Sequence, residues 1–178
     1  MVELIQSLNT QVFFQMFNLG GTSPLLRVLA VFGAEYLIFL IFTIVGLAGL
    51  LGKLEDRKAL VLVILAIPFA AIFTKIIPLI ISEPRPFTTF PIVPLIDRPA
   101  TPSFPSLHAT WTASAAFGLI FYKTRFALLL LIFMLWVGLS RIFVGVHYPL
   151  DVLGGFLVGF LAVFLAWQTK NFIGRRLT

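Results

Sequence analysis

Five stretches of this chain, residues 25–51, 59–81, 107–121, 126–144 and 151–168, are nearly free of charge and built from Leu, Ile, Val, Phe, Ala and Gly. Crossing the hydrocarbon core of a bilayer takes about 20 apolar residues in a helix. In that medium only helices and closed barrels satisfy the backbone polar groups. The five blocks use up most of the 178 residues, which are 60% hydrophobic and 11% charged. A soluble domain would carry roughly a quarter charged residues, so a water-soluble globule is excluded. The pattern predicts an all-α, polytopic membrane helix bundle of about five transmembrane helices, forming one domain over residues 1–178 with its bundle at 25–168. The third block is short for a full crossing and is expected to begin deeper in the membrane.

Ahead of the first block, residues 3–18 place Ile5, Leu8, Val12 and Met16 on one stripe, with Gln6, Asn9, Gln11 and Gln15 elsewhere. This is the spacing of an amphipathic helix, read here as lying in the membrane interface. The first Lys or Arg is Arg27, so the N-terminus lacks the basic start of a signal peptide and is expected to be retained. Between the second and third blocks, residues 82–105 hold seven of the eleven prolines. Such a loop cannot be regular helix, and long loops of this kind tend to be functional.

The charges then orient the chain. Lys53, Arg57, Lys58, Lys123, Arg125, Lys170, Arg175 and Arg176 fall on one side, against Arg27, Arg85, Arg98 and Arg141 on the other. The positive-inside rule makes the first side cytoplasmic and leaves the proline-rich loop outside. The expected location is a bacterial inner (plasma) membrane, crossed several times, with the functional face toward the periplasm or outside. The net charge of +6 reflects these short turns, so no nucleic-acid partner is expected. Without cysteine there is no disulfide frame, thiolate metal site or cysteine nucleophile.

Polar residues that a membrane protein could have omitted gather on that outer rim: Arg85, Ser106, His108, Ser140, Arg141, His147 and Asp151. Ionisable groups at membrane depth are costly and mark functional sites. In SRIFVGVHYPLD, residues 140–151, Arg141 offers a planar fork of donors to phosphate oxygens. His147 precedes Asp151 by four residues across a Tyr-Pro bend, an arrangement in which a carboxylate on Nδ1–H turns the Nε2 lone pair to an electrophile. The competing reading makes Asp151 an N-terminal cap of the last helix. In SFPSLHAT, residues 103–110, Ser106 and His108 stand where a helix begins and an anion is favoured, although Ser106 could equally be a plain N-cap. Arg85 sits between two prolines. Together these groups fit transfer of a phosphoryl group through a phosphohistidine. Two histidines with Glu83, Asp97 and Asp151 make no persuasive metal cage, so neither metal nor cofactor is expected.

The three stretches resemble the signatures of the type 2 phosphatidic acid phosphatase family, membrane lipid phosphatases with a haloperoxidase-like helical core. Arg85-Pro86 matches the end of Lys-x6-Arg-Pro, Pro105-Ser106-Leu107-His108 matches Pro-Ser-x-His, and Ser140-Arg141 with His147 and Asp151 matches Ser-Arg-x5-His-x3-Asp. The resemblance implies that His147 attacks phosphorus, Asp151 orients it, and His108 protonates the leaving oxygen and later activates water. Arg85, Arg141 and Ser106 would hold the phosphoryl oxygens. In look the stretches are nearest to bacterial undecaprenyl pyrophosphate phosphatases, with lipid A 1-phosphatases and phosphatidylglycerol phosphate phosphatases close by. The implied partners are a lipid phosphate and the bilayer.

Seven positions before Arg85 stands Pro78 instead of the family's lysine, and the nearest lysine is Lys75, about one helical turn deeper. Lys75 is counted with the phosphate-binding set. Its depth also matches that of Glu35, so a buried Glu35–Lys75 pair is expected as an alternative use of both charges. Two other functions remain open at this point: a non-catalytic protein that binds or transports anionic lipids, and an intramembrane serine protease using Ser106.

Overall fold

The computed structural model describes residues 1–176, and every regular element among them is a helix. Its elements are α1 (Val2–Gly20), α2 (Pro24–Glu35), α3 (Leu37–Leu51), α4 (Leu54–Ile80), the single turn α5 (Pro86–Thr89), α6 (Leu107–Phe121), α7 (Ala127–Phe143) and α8 (Pro149–Arg176). All five apolar blocks are helices, and α6 has the predicted bounds. By length and composition α4 and α8 are long and apolar enough to cross a membrane, while α6 and α7 are shorter.

The first block departs from expectation. It is not one rod but two helices, α2 and α3, bent by 51° at Tyr36. The cause lies beside the break, where Arg141 of α7 donates to the Ala34 carbonyl (3.1 Å). A side chain that enters the backbone ladder is an established source of sharp kinks. The local starts are conventional: Ser23 Oγ accepts from Leu26 N–H with Pro24 at the first helical position, and Asp56 Oδ2 accepts from Lys53 N–H at the head of α4.

Small residues decide which helix is central. α6 reads LHATWTASAAFGLIF, and it packs against α3, α4, α7 and α8. Against it α8 sets Gly155 and Gly159, four residues apart on one face. A Cβ at Gly155 would come within 2.7 Å of Ala109 Cβ and the Ser106 carbonyl, and one at Gly159 within 2.6 Å of Ala113 Cβ. Close approach through small residues drives helix association in lipid, where lipid tails remove the hydrophobic incentive. Thr110, Thr112 and Ser114 donate to carbonyls one turn back, so these three hydroxyls are satisfied within the helix. Gly159→Val should therefore push α6 and α8 apart and cost about 1–3 kcal/mol or more. Thermal unfolding in detergent checks this, and an unchanged midpoint would contradict the close packing.

The interfacial helix has two apolar stripes. Ile5, Leu8 and Val12 are exposed, as an interface-facing stripe should be. The other face carries Phe13, which meets Tyr148 edge-on (5.3 Å between centroids) and stacks on Phe17. Asn9 is buried on this second face, and its Oδ1 accepts the Leu150 N–H at the head of α8 (3.0 Å). Gln6 donates to Glu83 of the loop (2.7 Å). Thus α1 lies as a strap across the ends of α7 and α8.

Candidate active site

The last turn of α7 ends in Ser140 and Arg141, and residues 144–148 then reverse the chain before Pro149 opens α8. Gly145 makes the reversal with φ +84°, and a Cβ there would come within 2.7 Å of the Phe17 ring. The turn needs glycine on both counts. It delivers His147 into the bundle, 2% exposed.

Two side chains bracket the ring. Asp151 Oδ2 lies 3.4 Å from Nδ1, and Arg85 Nη1 lies 3.3 Å from Nε2. Arginine only donates, so its contact assigns the lone pair to Nε2 and the proton to Nδ1, facing the carboxylate. Burial, followed by the positive charges of Arg141 and Arg85, pushes the His147 imidazole well below its ordinary range. The ring is therefore neutral at neutral pH. Asp151 Oδ2 also accepts the Tyr148 N–H (2.8 Å), which is the third helical residue reaching back to the N-cap. Capping and orienting are one contact set here, performed by the same carboxylate.

Arg85 is no solvated loop residue. Pro84 and Pro86 stiffen it, and it donates to the Val146 carbonyl (3.0 Å), the Thr101 carbonyl (3.0 Å) and Thr101 Oγ1 (3.3 Å). Burial pulls its pKa down and Asp151 pushes it back up. Arg141 is fully buried, and its Nε has no hydrogen-bond partner. Ser106 stands at the N-cap of α6 without making the capping bond. Its hydroxyl is wholly buried and unpartnered, while its N–H donates to the Asp151 carbonyl (3.0 Å) and ties the heads of α6 and α8 together. Buried polar groups without partners are rare and ask for an explanation. His108, on the first turn of α6, is partly buried and within electrostatic range of His147, Arg85 and Arg141.

Lys75 lines a cavity of about 290 Å³ with Thr74, Pro78, Arg85, Thr101 and Leu107. It is not the partner of Glu35. That carboxylate instead pairs with Arg98 and lies 3.5 Å from Arg141, while Lys75 faces the cavity beside Arg85. The structure thus brings His147, Asp151, Arg85, Arg141, Ser106 and His108 to one end of the bundle, with Lys75 at its edge. Among the described residues no three His, Asp or Glu side chains gather as metal ligands.

Sequence reasoning missed the loop's own contributions. Ser103 is completely buried beside His147 and Asp151, and its hydroxyl donates to the Pro84 carbonyl (3.4 Å). Thr101 holds Arg85. Arg98 reaches the site's edge, and its only sequence signal was a second Arg-Pro dipeptide in the same loop.

The sequence model of the PAP2 superfamily matches residues 59–175. Undecaprenyl-diphosphatase BcrC of Bacillus subtilis is 31% identical over 166 residues, covering 93% of this chain and 86% of that protein. Lipid A 1-phosphatase of Rhizobium etli is 33% identical over 98 residues, 51% of this chain and 41% of that protein. The crystal structure of Aquifex aeolicus LpxE superposes with a TM-score of 0.72 at 25% identity, over 90% of this chain and 95% of that one. Family match, near full-length relative and shared helical bundle agree, and the chain belongs to the PAP2 superfamily, among its membrane lipid phosphatases.

Proposed function

We propose that this protein hydrolyses the phosphate of an envelope lipid through a phosphohistidine on His147, and that an undecaprenyl-type isoprenoid diphosphate is the substrate. The observation that carries the mechanism is the bracketing of the buried His147 ring, with Asp151 Oδ2 3.4 Å from Nδ1 and Arg85 Nη1 3.3 Å from Nε2. The substrate follows the Bacillus subtilis relative, whose similarity runs nearly end to end.

In the first step Nε2 attacks phosphorus while the bond from phosphorus to the leaving oxygen breaks. His108 delivers a proton to that oxygen, so the lipid departs neutralised on the cleaved side. Arg85, Arg141 and the Ser106 hydroxyl hold the phosphoryl oxygens, where charge is spread in the transition state. Asp151 keeps the Nδ1 proton and stabilises the charged ring of the intermediate. In the second step His108 takes a proton from water, the water oxygen attacks phosphorus, the P–N bond breaks and phosphate leaves. A binding or transport protein would have no use for a carboxylate behind His147, so hydrolysis is the better reading. For a diphosphate, Lys75 in the cavity beside Arg85 is the residue placed to meet the second phosphate.

We place the site on the outer face of the plasma membrane. The Lys170 ammonium contacts the Tyr122 hydroxyl, and Arg125 and Gly52 line one shared cavity, so the basic turns and the α8 tail collect at the end opposite His147. That end is cytoplasmic by the positive-inside rule.

The test is phosphate release in detergent from a long-chain isoprenoid diphosphate, lipid A, phosphatidylglycerol phosphate and glucose 6-phosphate. Binding energy from the lipid remote from phosphorus should raise kcat/KM for the isoprenoid diphosphate by about 100-fold or more over glucose 6-phosphate. Equal efficiency on the soluble ester would contradict a lipid substrate, and preference for lipid A would reassign it.

A further inference from the structure

Glu35 lies outside the residues that match the family, at the break between α2 and α3. One of its oxygens is nevertheless the meeting point of two arginines. Oε1 accepts from Arg98 Nη2 and lies 3.5 Å from Arg141 Nη1. That same Nη1 donates to the Ala34 carbonyl, one residue before Glu35. The corner of the Arg141 guanidinium that faces α2 is thus held by two adjacent acceptors, whereas its buried Nε has no protein partner. A guanidinium is a rigid planar fork, so fixing the Nη1 corner fixes the direction of the Nε edge.

The charge count leads to the same residue. A lone carboxylate 3.5 Å from Arg141 would cancel the charge that an incoming phosphate needs. Arg98 restores the balance, since two guanidinium groups share one carboxylate and leave a net positive charge at the rim. Arg98 also belongs to the 82–105 loop, which carries Arg85, Thr101 and Ser103. The Arg98–Glu35 pair therefore latches that loop to the bend of the first apolar block. Its positive charge is felt at both Arg85 and His147.

We infer that Glu35 is a positioning residue for the phosphate site, shared between Arg98 and Arg141 so that the Nε edge of Arg141 faces the phosphoryl group and the loop stays closed over His147. The inference rests on the phosphatase reading above and adds to it a residue that touches no substrate. It acts through Arg141, so its loss should weaken capture of a phosphate-like anion and slow turnover together.

The experiment compares wild type, Glu35→Gln, Arg98→Gln and the double variant, purified in detergent. Readouts are kcat and KM on an isoprenoid diphosphate and inhibition by inorganic vanadate, with the folded fraction measured by thermal unfolding. Glu35→Gln should lower kcat and raise the vanadate inhibition constant, each by about tenfold or more, as loss of one oriented transition-state donor does. Arg98→Gln should chiefly raise KM and weaken vanadate, because Glu35 then neutralises Arg141 alone. The double variant should be no worse than Glu35→Gln, because Arg98 works through the same carboxylate. A merely structural Glu35 would lower the melting temperature and leave the KM and vanadate constant of the folded protein unchanged, and that result would overturn the inference. So would additive losses in the double variant. If Glu35→Gln does not fold, an Arg98→Gln protein with wild-type KM and vanadate inhibition overturns it equally. An inactive wild type would overturn the phosphatase reading and this inference together, whereas an active wild type matched by Glu35→Gln overturns this inference alone.

Discussion

His147→Ala is expected to lower kcat by about 10⁴-fold or more, the scale on which removing a nucleophile acts. The fold should survive the change. The reversal at 144–148 is set by Gly145, by Pro149 and by the Tyr148 N–H bond to Asp151, none of which uses the imidazole. Burial and the Arg141 and Arg85 charges hold the ring of His147 below its ordinary pKa of 6.5. The sign follows directly: protonation removes the lone pair only well under that pH, so the acid limb of kcat/KM should not fall at the free-histidine value. Steady-state rates on a lipid phosphate, with unfolding curves as control, check both statements. A variant within tenfold of wild type would contradict the assignment.

Asp151→Asn should cost about 10³–10⁴-fold in kcat, nearly as much, through a different atom. Asparagine preserves shape and can still accept the Tyr148 N–H through its carbonyl oxygen, so the head of α8 remains capped. That same oxygen is the one that faces Nδ1 of His147, so the ring meets a neutral amide acceptor in place of a carboxylate. The Nδ1 proton is then held weakly, and the charged ring of the phosphohistidine loses its counter-charge. Melting temperature should change little while kcat collapses. Loss of stability without loss of turnover in the folded fraction would mean that Asp151 is a cap and nothing more.

How much of this was readable from sequence depended on the distance over which each contact acts. The spacing from Ser140 to Asp151 is local, so the dyad and its neighbouring arginine follow from helix ends and a Tyr-Pro bend. The bounds of α6 follow from Ser106 and its run of small residues. Contacts across the loop carry no such period. Thr101 and Ser103 become part of the site only because the proline-rich chain folds back over His147, bringing Ser103 N–H to the Glu83 carbonyl (2.7 Å). Equal depth suggested Glu35 and Lys75 as partners, but depth along two helices says nothing about which faces they present. The bend at Tyr36 was hidden for the same reason, since its cause is an arginine more than a hundred residues away. In α1 the exposed stripe was legible, whereas the packed Phe13 face was masked by amphipathic spacing that accommodates either side.

The mechanism turns on a covalent bond between phosphorus and His147. Incubating the purified protein with a lipid diphosphate labelled with ³²P at the terminal phosphate, then quenching in alkali within the first turnovers, measures it directly. Phosphohistidine survives base and is lost in acid. An acid-labile, base-stable label is expected that maps to the peptide holding His147, is absent in His147→Ala and accumulates when His108→Ala slows its hydrolysis. A label stable to acid and located on Ser106, or turnover with no protein-bound phosphate at any time, would contradict it.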